Sequence, residues 1–429
     1  MKRRTFVKAS LAAFAELGLA DFVRAFAAGT ADAAAGRPLA AWQPGHFQIH
    51  AIYTGVCESL FLIYPDGTTL LIDVGDIPAH TRGKLAIPIL PGLDRHAGEW
   101  VARYVQRVNP QGSTVDRFLL SHYHSDHGGG RSYSVGRSAD GTYEKSGLGQ
   151  AIDFLTFKRV VDRAWPTFDD PLPKDPKEDG DMVENLRAVY AELQKRGTQI
   201  EKFRLEKGGD QFAPLRGKAD GFSVRPICAN GRFLLPDGTV QDLYRHLVAR
   251  PNPPKRFNEN GMSLGMVFTY GKFRFFTAGD LSDSITDAAG KRIQTEDLLG
   301  AASGAVNVAK VNHHGHHAMF PGLVKALKAQ VYFACMWDQL HMTTDTMTRL
   351  ADRSLYPDER LLCPSVFTPE RRTEDAGKAW TKDVPAAVYE PKHLVFDVPP
   401  GGETFTLSFV RAADESMTVA SVLNFKTRV

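Results

Sequence analysis

The chain has 429 residues, 43% of them hydrophobic and 24% charged, enough apolar content to bury a sizeable core in one large domain or two smaller ones. Gly and Pro usage is ordinary, so disordered, collagen-like and low-complexity classes are excluded. Residues 1–28 carry five basic and two acidic side chains and the rest of the chain 47 of each, so the pI near 8.5 belongs to the amino terminus, and composition offers no basic surface for nucleic acid.

The chain opens MKRRTFVKAS, with Arg3 and Arg4 followed by Thr5, Phe6, Val7 and Lys8 ahead of an Ala/Leu-rich stretch. This order resembles a twin-arginine export signal, which implies the twin-arginine translocase as a partner and a periplasmic or secreted destination. Glu16, Asp21 and Arg24 interrupt the apolar run and make it too polar for a membrane anchor. An amphipathic cytoplasmic helix is the alternative. Ala25, Ala27 and Ala28 offer a small-residue cleavage site, and residues 1–36 read as leader and linker.

From Phe47 the runs FQIHAI, ESLFLIYP and TTLLIDVG predict a β-meander, with a Pro-Asp-Gly turn at 65–67 joining the second and third. Residues 99–108 place Val101, Tyr104, Val105 and Val108 on one helical face, and RFLLS is a short buried strand that delivers the chain into HYHSDHGGG. Over 131–225 periodicity weakens, apart from a helix at 180–196 carrying Val183, Leu186, Val189, Tyr190 and Leu193. With Trp165, Phe168 and PTFDDPLPKDPKEDGD, this region reads as an inserted surface lid or a solvated loop.

Strands resume at SLGMVFTY, GKFRFFTAG and AVNVAKV. A helix over 321–327 precedes the buried run VYFAC, and HLVFDV, TFTLSFV and MTVASVLNF close the chain. No repeat-length period is present. Elements alternate in two halves, which predicts an α/β two-sheet sandwich with helices outside, one domain over 46–429 carrying the insertion. Cys57, Cys228, Cys335 and Cys363 form no Cys-x-x-Cys pair, and buried free thiols are expected rather than a disulfide framework.

His122, His124, Asp126 and His127 place four metal-ligand side chains within six residues, at the end of a buried strand and just before Gly128, Gly129 and Gly130. In extended backbone 122 and 124 point to the same side, so their imidazoles converge on one ion. The following turn lets Asp126 and His127 face a second. Nitrogen and carboxylate donors without thiolate suit Zn²⁺, one ion or two, with Mn²⁺ or Fe as alternatives.

In these residues the sequence resembles the metallo-β-lactamase superfamily, which implies an αββα sandwich with metals at one edge. Asp73 in LLIDVG matches the family's Asp that supports the metal loop, Asp280 in FFTAGD its bridging Asp, and KVNHHGHH supplies its final His at His313 or His314. Within the superfamily the pattern is most similar to the extracytoplasmic domain of ComEC-type DNA-uptake channels and to relatives that include a phosphorylcholine esterase. Their Gly-x-Gly-Asp-Ser turn appears here with Cys57 and Glu58 substituted, and NENGMSL echoes their Asn-rich approach to a Ser-Leu strand. Lys310, His313, His314 and Gly315 match Lys-x-x-His-His-Gly, and His341 matches a later His whose following Pro is Met342 here. The resemblance makes His314 the ligand of the second ion with His127 and Asp126, and leaves His313 as an acid for the leaving group.

One position departs from the family. Between His127 and Asp280 the only histidine is His246, in the helix-like run QDLYRHLVAR, where a solvated or capping role is expected. The first ion would then be held by His122, His124, Asp280 and water, or the site would work with one metal. His316 and His317 are expected at substrate or in solvent, and His46, His50, His80, His96 and His393 as structural. Asp76 reads as a turn carboxylate. No Walker-type loop or Gly-x-Ser-x-Gly elbow is present.

The expected chemistry is attack by a metal-bound hydroxide on a phosphoryl or acyl centre, with Asp126 and Asp280 orienting it and His313 serving the leaving group. The resemblance favours a phosphodiester or phosphorylated small molecule as substrate. Ester, lactone or β-lactam hydrolysis is the alternative within the fold, and a non-catalytic envelope binding protein the alternative outside catalysis.

Overall fold

The structure is a computed structural model that describes residues 34–56, 58–77, 86–172, 180–249, 257–287 and 289–429. The leader with Arg3 and Arg4, Cys57, His80 and residues 173–179 of the Pro/Asp-rich stretch lie outside the described residues.

β1 (Phe47–Ala51), β2 (Leu60–Ile63) and β3 (Thr69–Ile72) form the predicted antiparallel meander. The turn after Pro65 needs a left-handed residue, and Gly67 takes it at φ 82° without the Cβ clash that other residues meet there. β4 (Thr114–Leu119), β5 (Thr156–Asp162) and β6 (Gln199–Lys202) then add in parallel, one beside the next.

The second sheet is built from β7 (Phe222–Ala229), β8 (Arg232–Leu234), β9 (Val240–Asp242), β10 (Gly265–Tyr270) and β11 (Phe273–Thr277). A small separate hairpin follows, β12 (Ser284–Thr286) with β13 (Arg292–Gln294). β14 (Val308–Lys310), β15 (Val331–Ala334) and β16 (Leu361–Pro364) complete the sheet, running parallel to β11. The last three strands, β17 (Lys392–Val398), β18 (Thr404–Arg411) and β19 (Val419–Lys426), return to the first sheet through pairing of β17 with β1. The sheet orders are β19-β18-β17-β1-β2-β3-β4-β5-β6 and β16-β15-β14-β11-β10-β7-β8-β9.

Alternation along the strands decides what each face buries. Ile49, Leu60, Leu62, Leu70 and Ile72 share a core with Phe268, Phe275 and Phe333 of the second sheet. Their neighbours Phe61, Ile63, Leu71, Val115 and Phe118 join Val101 and Val105 of the helix Ala97–Val108, and Leu186, Val189 and Leu193 of the helix Gly180–Lys195, in a second core. Leu299, Leu323, Val324, Leu327 and Leu350, from the helices Thr295–Ser303, Pro321–Leu327 and Thr344–Ala351, close on the first core. The protein is therefore α/β, with two mixed sheets facing each other and helices packed against them.

Two features differ from expectation. The 131–225 region is not a lid set outside the sheets: β5 and β6 extend the first sheet, and Phe168, Tyr190 and Leu193 are core residues. Its periodicity is weak because β5 alternates exposed and buried positions only at its start, being buried from Val160 to Asp162, and β6 is a four-residue edge strand. Ordered pairing also begins before Phe47, where Gly36 N–H donates to Val419 O (2.9 Å) and Leu39 N–H to Met417 O (2.7 Å). Cys228, Cys335 and Cys363 are buried free thiols as expected. Among the described residues no helix is long and apolar enough to cross a membrane.

Candidate metal centre

Two groups of parallel strands, β3–β5 and β11 with β14 and β15, send their carboxyl ends to the same region, where open α/β sheets present ligand sites. Asp73 follows β3, His122 follows β4, Asp280 follows β11, His313 and His314 follow β14, and His341 lies beyond β15. All nine side chains singled out by sequence (Asp73, His122, His124, Asp126, His127, Asp280, Lys310, His313 and His314) and His341 meet here.

His127 is fixed first. Its Nδ1 lies 2.7 Å from Asp73 Oδ2, and Asp73 also accepts from Ser121 N–H and Ser121 Oγ, each at 2.7 Å. The carboxylate holds the ring so that Nε2 faces inward, as outer partners of metal-bound imidazoles do. His127 Nε2 is buried with no hydrogen-bond partner, and Asp280 Oδ2 is 3.2 Å away. His314 mirrors it: Nδ1 donates to Cys335 O (2.8 Å), and Nε2 lies 3.0 Å from Asp126 Oδ2 and 3.2 Å from Asp280 Oδ2. Trp337 Nε1 donates to the same Asp126 oxygen at 2.8 Å. His341 stacks on His314 with ring centroids 4.8 Å apart and 13° between planes.

His122 and His124 form the other half. Their Nε2 and Nδ1 atoms are 3.0 Å apart, and the His122 ring is 4.1 Å from that of His127. His122 Nε2 is 4.0 Å from Asp280 Oδ2, so the Asp280 carboxylate stands between the two pairs. Two ligands at ~2.0 Å from a tetrahedral ion lie about 3.3 Å apart. The measured separations of 3.0–3.2 Å fit such donors.

Glu58 was not expected here. Its carboxylate is fully buried, 2.7 Å from Lys310 Nζ and 3.4 Å from His314 Nδ1. Glu58, His127, Asp280 and His314 are all buried, with ligand atoms within 4.8 Å of one another, a group able to hold a metal ion. Lys310 Nζ also donates to Gly279 O (2.8 Å) and lies 3.6 Å from Asp280 Oδ1, which ties the Asp280 turn to Glu58. The signal for Glu58 was the buried lysine itself, since a buried ammonium requires a counter-ion.

The electrostatics fit the same reading. Burial opposes charge on His314, but Asp280 and Asp126 outweigh it and hold the imidazole up to about 10. Burial likewise opposes charge on His127, and Asp280, Asp73 and Asp126 raise it well above the usual histidine range. The carboxylates draw positive charge inward, and protons supply it where no cation does. His122, without a carboxylate that close, is driven well below the usual range by burial and by His127.

His313 stands beside the cluster rather than in it. Asn260 Nδ2 donates to its Nε2 (3.2 Å), and its Nδ1 meets Ser282 Oγ (3.0 Å). His246 is remote, its Nε2 near Thr286 O (3.1 Å) in a half-exposed helical turn, in keeping with its expected role.

A further support escaped the sequence reading. Glu259 Oε1 accepts from Tyr123 N–H (2.8 Å), between His122 and His124, while Arg163 grips both Glu259 oxygens at 2.8 Å and lies over the Tyr123 ring, 4.1 Å from its centroid. Both charges are under 5% exposed, so this buried pair holds the His-x-His segment from behind. An arginine directly after Asp162, the last residue of β5, was its only trace in sequence.

A scan against models of known protein families finds no match, and a search of curated proteins finds no similar sequence. Fold and site together define an α/β protein with a buried His/Asp/Glu group able to hold a metal ion.

Proposed function

We propose that the protein is a metal-dependent hydrolase of metallo-β-lactamase fold, acting on a phosphodiester or phosphorylated small molecule. One observation carries the reading: the motif His122-x-His124-x-Asp126-His127, Asp280 and His314 arrive from three separate strand ends, and their inward donor atoms converge, with His127 Nε2 facing Asp280 Oδ2 at 3.2 Å without a well-formed hydrogen bond. A purely structural cluster would satisfy such a buried atom.

His122, His124 and Asp280 would hold one ion, and Asp126, His127, His314 and Asp280 a second. Zn²⁺ suits the donors, with Mn²⁺ or Fe as alternatives. A cation held there would supply Lewis acidity, easing the deprotonation of water and offsetting negative charge on the substrate. Asp126 and Asp280 orient the attacking group, and Asp126 accepts the single proton that nucleophile formation releases. Trp337 Nε1–H, on Asp126 Oδ2, fixes which oxygen of that carboxylate stays free. His313 would serve the leaving group by giving up the Asn260 hydrogen bond that its Nε2 accepts and taking up a proton at that atom, which it then passes to substrate.

We further propose that Arg3 and Arg4 direct export of the folded chain to the periplasm or medium through the twin-arginine translocase. Replacing both with lysine is expected to retain the protein in the cytoplasm, and undiminished export would refute the leader assignment. For the hydrolase, the test is metal content after purification with a screen of chromogenic phosphodiesters, esters and β-lactams. Stoichiometric metal with phosphodiester turnover is expected. Stoichiometric metal with ester or lactam turnover alone would move the substrate class, and a metal-free protein would remove the reading.

A further inference from the structure

We infer that Asn260 supplies, through Oδ1, the ligand that a third histidine would give to the ion held by His122 and His124. The inference rests on the two-ion reading above and deepens it.

Three observations lead there. First, the pair His122 and His124 has only the Asp280 carboxylate, 4.0 Å away, as a further donor among the residues already assigned, and His246 is elsewhere. Second, the chain from Glu259 to Leu264 runs alongside the His-x-His segment. Glu259 meets Tyr123 N–H at 2.8 Å, and Leu264 N–H donates to Ser121 O at 3.0 Å. Asn260, in the 3₁₀ helix Glu259–Met262, thus lies between two residues that are tied to the strand of the His-x-His motif. Glu259 turns back to Arg163, and Asn260 turns the other way, to His313.

Third, Asn260 is 7% exposed, and its Oδ1 has no hydrogen-bond partner. A buried amide oxygen left unpaired is destabilising, so a side chain held in this way calls for an acceptor's role. Its orientation is fixed: Nδ2 is spent on His313 Nε2, and His313 is in turn held at Nδ1 by Ser282 Oγ. The amide therefore presents its oxygen and not its nitrogen as the unused group. Amide oxygens are established ligands for divalent cations, favouring the harder ones. The asparagine thus fits the donor shortage without any further histidine.

The test is equilibrium dialysis of full-length protein against Zn²⁺ alone and Mn²⁺ alone, counting ions per chain in the parent and in Asn260→Ala, Asn260→Asp and Asn260→His. Circular dichroism of each metal-free variant serves as the folding control. The parent is expected to bind two ions. Asn260→Ala should keep one and bind the other at least about 10- to 100-fold more weakly, the loss that even an outer partner of a metal ligand produces. Asn260→Asp should restore the second ion, and Asn260→His should shift it towards Zn²⁺. Two ions held by Asn260→Ala with parental affinity overturn the inference while leaving the hydrolase reading intact. So does a single ion in the parent that Asn260→Ala leaves unchanged. A parent that binds neither metal overturns both.

Discussion

The two loops that bring histidines to the centre are held by opposite means. The first, 122–128, is pinned through backbone: Glu58 N–H donates to Asp126 O, Val74 N–H to His127 O and Asp76 N–H to Ser125 O, all at 2.8–2.9 Å. Glycine makes that closeness available. A Cβ on Gly75 would stand 1.8 Å from Asp126 O, and Gly129 sits at φ 79°. The second loop, 312–320, has non-glycine residues in the left-handed region, with His313 at φ 48°, His314 at 52°, His317 at 51° and Met319 at 59°. Each such residue stores about 1–3 kcal/mol. The Glu296 carboxylate offsets this by accepting from Asn312 Nδ2, Met319 N–H and Phe320 N–H. Met342 N–H and Thr343 N–H close on His314 O and Gly315 O. One loop is relaxed and built from glycine, the other strained and clamped.

The largest expected effects fall on the relaxed loop, because it carries most of the ligands. His122→Ala or Asp126→Ala should remove most bound metal and nearly all hydrolysis, read by metal analysis and turnover on one preparation. Asp73→Ala, which frees His127 Nδ1, should cost more in stability than in metal. Unchanged metal in Asp126→Ala would dissolve the two-ion assignment.

Next comes the strained loop, where adjacent histidines have separate duties. His314 points Nε2 at Asp126 and Asp280, whereas His313 is turned to Asn260 and Ser282. His314→Ala should lower metal occupancy. His313→Ala should keep the metal and slow turnover roughly 10²–10⁴-fold, the usual worth of general acid catalysis, with substrates of good leaving group less affected. Metal lost from His313→Ala and kept by His314→Ala would reverse the two roles.

The same contrast explains what sequence reveals. The relaxed loop was legible because its requirements are written locally: alternating histidines at a strand end and three glycines after them. The helices at 180–196 and 321–327 were legible through their apolar period, and appear as Gly180–Lys195 and Pro321–Leu327. β5 and β6 were not, because a parallel edge of the sheet needs little alternation and their partners lie far away in sequence. Glu58, Glu259 and Arg163 were missed for a related reason. Each acts through a pairing across 96 to 252 residues, Arg163 with Glu259 and Glu58 with Lys310, and no local spacing marks such a pair.

Glu296 is the clamp of the strained loop and so the place to release it. Removing the carboxylate in Glu296→Ala strands three donors and should cost about 2–5 kcal/mol in denaturant melts. Burial pushes this carboxyl up to about 7, although its three donors favour the ionised form. The folded state then holds the proton more tightly than the unfolded chain, where the group titrates near ~4.3. Stability contributed by this group therefore falls as pH rises from about 4 to 7 and is level above that. Glu296→Gln lacks the slope, so the parent should lose stability relative to this variant as pH rises from about 4 to 7. A parent that gains on Glu296→Gln over that range would mean that the carboxylate is ionised throughout.

The smallest effects compare the loops directly, one substitution in each. Gly129→Ala puts a Cβ 2.6 Å from the Ser146 carbonyl at a left-handed position, so neither the backbone angle nor the neighbouring chain can accept it. A loss of about 1–3 kcal/mol is expected. His317 is exposed and left-handed at φ 51°, so His317→Gly removes strain without opening a cavity. Against that gain stands the greater freedom glycine gives the unfolded chain, worth about 0.4–1 kcal/mol. Since a left-handed L-residue costs roughly 1–2 kcal/mol, the balance favours the variant by up to ~1 kcal/mol. Urea midpoints at one pH measure both. Stabilisation by His317→Gly with destabilisation by Gly129→Ala is the signature of one strained and one relaxed loop, and a loss in both would show that the left-handed run carries no strain to relieve.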